Sequence, residues 1–124
     1  MPTVSGARLL DGFSLEMTGK DVDAVRQAAP RLAPGTRVNV TYLANEDLGM
    51  RVAAAQAVRS LGLVPVPHVS ARRLASRDQL VEFLASLQAV DASSDVFVVG
   101  GDPPAPEGPF SDALSVIRSG LLQE

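Results

Sequence analysis

Polar residues with catalytic or ligand-binding chemistry lie at the ends of four short apolar runs, which occupy residues 12–17, 37–43, 64–69 and 96–99. These residues are Glu16, Thr41, Tyr42, His68, Gly100, Gly101 and Asp102. Two glycines without side chains would let a flat ligand or a phosphate approach the backbone closely, and Asp102 beside them would accept hydrogen bonds from it. Glu16 could act as a general acid once a ligand shields it from water.

Each of these residues also has an ordinary structural explanation. A lone histidine beside a proline is more often structural than catalytic, the glycine pair could serve only a tight turn, and Asp102 before Pro103 is a common turn starter. Arg72 and Arg73 most simply form a solvated basic pair. A functional site is favoured by the joint occurrence of a carboxylate, hydroxyls, an imidazole and a glycine pair at four strand ends.

The four apolar runs alternate with longer segments of helical period, which indicates four strand–helix units. Apolar residues from Leu48 to Val58 recur at spacings of four and three, and Gly62 follows where a helix C-cap glycine belongs. Ser76 and Ser111 are the predicted N-caps of the next two helices. Strands that recur about every 25–30 residues predict right-handed βαβ units and a parallel sheet, in one domain over residues 1–124.

The four runs differ in how well they fit a strand. The fourth is the most typical buried strand, because its apolar residues are continuous. The third fits least well, since Pro65 and Pro67 each lack a backbone donor. Two architectures accept four such units: a small open sheet, or half of an eight-fold barrel, which typically takes ~250 residues. Both place ligands beyond the carboxyl ends of the strands, where the polar residues would converge.

Composition excludes several classes of protein and site. The net charge of −3 gives no reason to expect a nucleic acid or an anionic membrane as partner, and one tyrosine without tryptophan makes a base-stacking surface improbable. The absence of cysteine excludes disulfides and thiolate metal sites, and a single histidine excludes a histidine cluster. No apolar run approaches a membrane span, and no signal peptide is visible, so a cytoplasmic protein is expected.

Four motifs in order resemble those of the methylenetetrahydrofolate reductases. "VNVTYLANED" is similar to the family's second-strand motif V-[ST]-V-T-Y-x-A-N, and "PHVSAR" to its third-strand P-H-[LV]-[ST]. "VFVVGGDPP" resembles the fourth-strand x-A-L-R-G-D-x-P. Glu16 in "FSLEM" falls where the family has a glutamate in S-F-E-F-F-P-P. Any one motif would be weak evidence, but the ordered set covers nearly the whole chain.

The resemblance implies a TIM-like (β/α)8 barrel that holds FAD and reduces 5,10-methylenetetrahydrofolate to 5-methyltetrahydrofolate with NADH or NADPH. By the same resemblance, Glu16 would be the acid that protonates the folate and opens its five-membered ring. Asp102 would contact the pterin, with Gly101 adjoining it. Three residues and a glycine would lie in the cofactor region: Thr41, Tyr42, His68 and Gly100.

Two departures from the family pattern concern the flavin. Gly100 stands where the family has an arginine, which removes a cationic contact, and the F-F-P-P segment is replaced by "MTGK". The family's later strands have no counterpart here, so we expect the N-terminal half of a barrel. Such a half-barrel would pair with another copy or with its missing half. The alternatives are a folate- or flavin-binding half-barrel without turnover and an α/β domain whose motifs are inherited scaffold.

Overall fold

The structure, a computed structural model, describes residues 11–44 and 46–123. Its strands are β1 (Leu15–Met17), β2 (Arg37–Val40), β3 (Val64–Ser70) and β4 (Phe97–Val99). Its α-helices are α1 (Val22–Ala28), α2 (Leu48–Ser60), α3 (Arg77–Ala89) and α4 (Ala113–Arg118). Three 3-10 turns lie at Ala29–Arg31, Ala71–Arg73 and Leu121–Gln123. The predicted alternation of strands and helices is therefore confirmed; β1, β2 and β4 are shorter than their apolar runs, and β3 is one residue longer.

The four strands form one parallel sheet in the order β1-β2-β3-β4, which confirms the predicted α/β fold. The helices pack on one face of this sheet: α1 contacts α2, α2 contacts α3, and all share one apolar core. Right-handed crossovers between sequential neighbours place every helix on the same side. Val38, Val40 and Val69 point into that core and are buried.

None of the helices in the described residues packs on the opposite face of the sheet, and we call it the open face. Alternation along the strands places Glu16, Asn39, Val66, His68 and Phe97 among the side chains of this face. Phe97 is 52% exposed. The fourth strand was the most typical candidate for burial on both faces, and this expectation was wrong for Phe97, because only one layer of helices covers the sheet.

Strand β3 is the longest of the four and accepts two prolines near its start. Val64 N–H donates to the carbonyl of Thr36, on the side of β2. Backbone direction alternates along a strand, so Pro65 and Pro67 turn their nitrogens toward β4. Strand β4 pairs only from His68 onward, so neither missing donor interrupts the ladder. The run that fitted a strand least well in the sequence is therefore a regular strand over its whole length.

The helix boundaries follow their capping residues. Asp47 caps α2 by accepting a hydrogen bond from Met50 N at 2.8 Å, and Ser76 caps α3 as predicted. The cap of α4 is Asp112, which forms a capping box with Ser115. The prediction of Ser111 was therefore wrong by one residue. No helix in the described part of the chain has the length and apolar character needed to cross a bilayer.

Candidate functional site

The carboxyl ends of β2, β3 and β4 surround a small cavity of about 160 Å³, which we call the rim pocket. Five of the seven residues selected from the sequence line it: Thr41, Tyr42, His68, Gly101 and Asp102. Convergence at one edge follows from the parallel order of the strands. Glu16 and Gly100 are not among the lining residues. The structure thus brings together most, but not all, of the predicted site.

Two residues that line the rim pocket each carry a buried hydroxyl without a partner. Thr41 Oγ1 and Ser70 Oγ make no hydrogen bond to any of the described residues, although both side chains are more than nine-tenths buried. A buried polar group left without a partner costs about 1–3 kcal/mol. Such groups mark a place where a water or a ligand completes the hydrogen bonding. Ser70 is not among the residues selected from the sequence.

Gly101 is required by the packing of the rim pocket. Its φ of +102° lies in the region that side chains rarely adopt, and a Cβ there would stand 2.3 Å from Ser70 Oγ. Gly100 has no comparable constraint, since a Cβ at that position would meet nothing within 4 Å. Only Gly101 therefore has to be a glycine.

His68 joins the rim pocket to the open face. Its ring lies 5.1 Å from that of Phe97, and its Nε2 is 3.4 Å from Asn39 Oδ1. Asn39 Nδ2 donates to the carbonyl of Leu15, so its Oδ1 faces the imidazole as an acceptor. Burial lowers the pKa of His68, while the charge of Glu16 acts in the opposite direction. The neutral imidazole with Nε2–H is the form that fits this contact.

Glu16 lies on the open face, below the rim. It is in register with Asn39, and Thr41 follows two residues later along β2, about 7 Å further toward the rim. The Glu16 carboxylate is exposed. It shares a face with His68, but it does not line the cavity that holds the hydroxyls. Any ligand that uses both would have to extend from the rim onto the open face.

Arg72 and Arg73 are not the solvated pair that the sequence suggested. Arg73 is only 16% exposed, lines the rim pocket and lies 3.7 Å from Asp102. Arg72 donates through its side chain to the carbonyls of Ser111 and Pro103. Its backbone N–H also donates to the carbonyl of Gly100 at 2.9 Å. Together the two arginines hold the loop after β4 against the end of β3.

A buried arginine packs against the ring of Tyr42. The guanidinium of Arg51 stands 3.5 Å from the centroid of the Tyr42 ring, and Phe83 meets the same ring edge-on at 5.7 Å. Burial raises the pKa of the Tyr42 phenol, and the charge of Arg51 opposes that rise. Arg51 is not among the residues selected from the sequence, because nothing local signals its contact with Tyr42.

Two further findings bear on the site. Within the described residues no group of three or more histidine, aspartate and glutamate side chains is placed to hold a metal ion. A search against models of known protein families finds none that matches this chain.

Proposed function

We propose that this chain forms the N-terminal half of a (β/α)8 barrel of the methylenetetrahydrofolate reductase type, with the rim pocket as part of its ligand site. The reaction would reduce 5,10-methylenetetrahydrofolate to 5-methyltetrahydrofolate with NADH or NADPH. The observation that carries the proposal is the pair of buried, unpartnered hydroxyls beside a glycine of positive φ, at the strand ends named by the resemblance.

The sheet order supports a barrel segment over a doubly wound sheet. Successive units of a (β/α)8 barrel run in sequential order with all helices on one side. A doubly wound sheet reverses its strand order at a switch point and carries helices on both faces. The order β1-β2-β3-β4 and the single helical layer match the first arrangement.

The residues of the rim pocket fit the polar edge of a flavin or pterin ring. The hydroxyls of Thr41 and Ser70 can each donate or accept a hydrogen bond, and Gly101 lets the loop after β4 approach Ser70 closely. Arg73 supplies a cation in the same pocket. It could take the role of the family arginine that Gly100 replaces. A volume of about 160 Å³ lies below the ~300–1,000 Å³ of complete small-molecule sites, which agrees with half a site.

The residues would divide the work as follows. FAD, when bound, supplies hydride transfer from the nicotinamide to the folate. Thr41, Tyr42 and His68 would hold the cofactor edge, and Asp102 would accept a hydrogen bond from the pterin. Glu16 would give the folate nitrogen the proton that opens its five-membered ring. Because Glu16 lies about two residues below the rim, the folate would have to reach onto the open face.

A second candidate is a folate- or flavin-binding half-barrel without turnover. The exposed Glu16, which does not line the rim pocket, favours it, because a general acid must stand within hydrogen-bond reach of the atom that it protonates. The two candidates share the rim pocket and differ only in the role of Glu16. Ligand binding with no reduction, even after the barrel is completed by its other half, would select the second.

Flavin binding to the full chain tests the rim pocket. We expect FAD to show a shifted absorption spectrum on binding, and the double variant Thr41→Val, Ser70→Ala to bind it about tenfold more weakly, because it loses both hydroxyls. The matched control is Thr36→Val, which removes a hydroxyl at the opposite end of β2. Equal flavin affinity in the double variant and the wild type would refute the proposed pocket.

A further inference from the structure

Arg51 is a buried cation beside the rim pocket, and the function proposed above gives it no role. It lies near the start of α2, and the residue is 6% exposed. An arginine stays charged in a folded protein, and a buried charge is expensive unless its surroundings compensate it. The groups that contact this guanidinium are two backbone carbonyls and the ring of Tyr42, which lines the rim pocket.

The two carbonyls fix the direction of the guanidinium. Its Nη2 donates to the carbonyl of Leu43 and, at 2.7 Å, to that of Glu46, both in the segment between β2 and α2. The side chain of Glu46 in turn accepts a hydrogen bond from Gly19 N–H, in the loop after β1. Because this segment is tied both to α2 and to a neighbouring loop, the guanidinium has little freedom to turn.

The ring of Tyr42 is held by two contacts that meet it from different directions. Arg51 stands over one face of the ring, 3.5 Å from its centroid. Phe83, from α3, meets the ring edge-on, with the centroids 5.7 Å apart and the two planes at 85°. A face contact and an edge contact together fix both the position and the plane of an aromatic ring. Arg51 therefore helps to determine how the phenol is presented to the rim pocket.

The charge of Arg51 also acts on the phenol itself. Burial raises the pKa of Tyr42, and the charge of Arg51 opposes that rise more strongly than any other group, with smaller effects from Glu107, which raises the pKa, and Arg73, which lowers it. A cation on the face of a phenol ring favours the phenolate, and the same field polarises the O–H bond.

We infer that Arg51 is a positioning residue of the rim pocket, which fixes the plane of the Tyr42 ring and strengthens its O–H as a hydrogen-bond donor to an acceptor atom of a bound ligand. The purpose of this arrangement rests on the proposed ligand site. Its geometry and its effect on the phenol can be tested on the full chain without any ligand.

The optical signals of Tyr42 provide this test. Tyr42 is the only tyrosine and the chain has no tryptophan, so the tyrosine band in near-ultraviolet circular dichroism and the phenolate absorption both belong to it. Arg51→Met keeps an unbranched side chain but removes the charge and the N–H donors. We expect it to lose most of the Tyr42 dichroism and to raise the pKa of Tyr42 further. Stopped-flow pH jumps read the phenolate before alkaline unfolding.

Two further variants separate geometry from charge. Arg51→Lys keeps the cation but lacks the planar guanidinium, so it should return the pKa of Tyr42 toward that of the wild type without restoring the dichroism. Arg59→Met is the matched control, because Arg59 lies about 12 Å further along α2 and donates to the carbonyl of Asp91. It should leave both signals of Tyr42 unchanged.

A double-mutant cycle connects the arrangement to binding at the rim pocket. Tyr42→Phe keeps an aromatic ring against Arg51 and removes only the O–H group. In the flavin titration described above, Tyr42→Phe and Arg51→Lys should each weaken FAD binding about fivefold. The double variant should bind FAD no more weakly than either single variant, because both changes act through one phenol.

Unchanged dichroism or an unchanged Tyr42 pKa in Arg51→Met would overturn the inference, and so would additive losses of flavin affinity in the cycle. Should Arg51→Met fail to give a cooperative thermal transition, Arg51→Lys decides instead, since wild-type dichroism in that variant would show that the guanidinium does not set the ring plane. An absence of flavin binding to the wild type would count against the proposed function, and the optical tests would still decide whether Arg51 positions Tyr42.

Discussion

His68 is the side chain whose ionisation best reports the state of the site. It lies on the boundary between the rim pocket and the open face, against Asn39 and Phe97. Burial disfavours its charged form, whereas Glu16 on the same face favours it. Because it is the only histidine of the chain, one imidazole signal in an NMR titration belongs to it without ambiguity.

We predict that His68 titrates below its ordinary value of 6.5 and that Glu16→Gln lowers its pKa further. The folded pKa lies below the unfolded one, so protonation favours the unfolded chain. This contribution to stability is present above pH ~6.5 and is lost as the pH falls through the folded pKa. Chemical denaturation across this range should show the loss, and His68→Gln should remove it.

The control is Asp23→Asn, which neutralises an exposed carboxylate of α1 that does not act on the imidazole. It should leave the His68 titration unchanged. A His68 pKa that does not move in Glu16→Gln would show that the two side chains do not interact across β2. Glu16 would then not belong to the same site as the rim residues.

At the level of elements, the loop after β4 determines the shape of the rim pocket. Gly101→Ala should destabilise the fold by roughly 1–3 kcal/mol, because its φ is unfavourable for a side chain and its Cβ would clash with Ser70 Oγ. Gly100→Ala is the matched control one residue earlier, in open space, and should change stability by less than about 0.5 kcal/mol. The free energy of unfolding in urea measures both. Equal effects would contradict the geometry of this loop.

Local signals predicted the elements well because their causes are local. Apolar periodicity and the N-cap serine Ser76 fix helices through contacts three or four residues apart, and Gly62 ends α2 with its φ of +79°. The prolines of β3 gave a misleading local signal, since their tolerance depends on where β4 begins to pair. Ser111 was the predicted N-cap of α4, but the N-cap is Asp112, whose side chain accepts a hydrogen bond from Ser115 N.

Long-range contacts explain what the sequence did not predict about the site. Arg73 belongs to a basic pair in the sequence, and only its approach to the loop after β4 brings it to Asp102. Glu46 bonds Gly19, 27 residues away along the chain. The resemblance selected five residues that do line the rim pocket, because strand ends of a parallel sheet meet at one edge. It also selected Glu16, which lies on the face below.

For the whole molecule, the sheet has surfaces that a barrel would cover. Among the described residues, β1 and β4 each pair on one side only, so each presents a free row of backbone donors and acceptors. Phe97 stands exposed on the open face, at the β4 edge. Two copies joined edge to edge, β4 to β1 at both junctions, would supply the eight strands of a closed barrel.

We therefore predict that the 13.0 kDa chain associates in solution. Light scattering over a range of concentrations should give a mass of about twice the monomer. Phe97→Ser should shift this equilibrium toward monomer, because it removes apolar surface from the open face that a second copy would cover. Leu114→Ser is the matched control: Leu114 is 56% exposed, similar to Phe97, but lies on α4, on the helical side of the sheet.

A wild-type chain that stays monomeric, or equal effects of the two variants, would refute closure through the open face. A monomer that also reduced folate by itself would refute the half-barrel, because four strands cannot enclose a ligand.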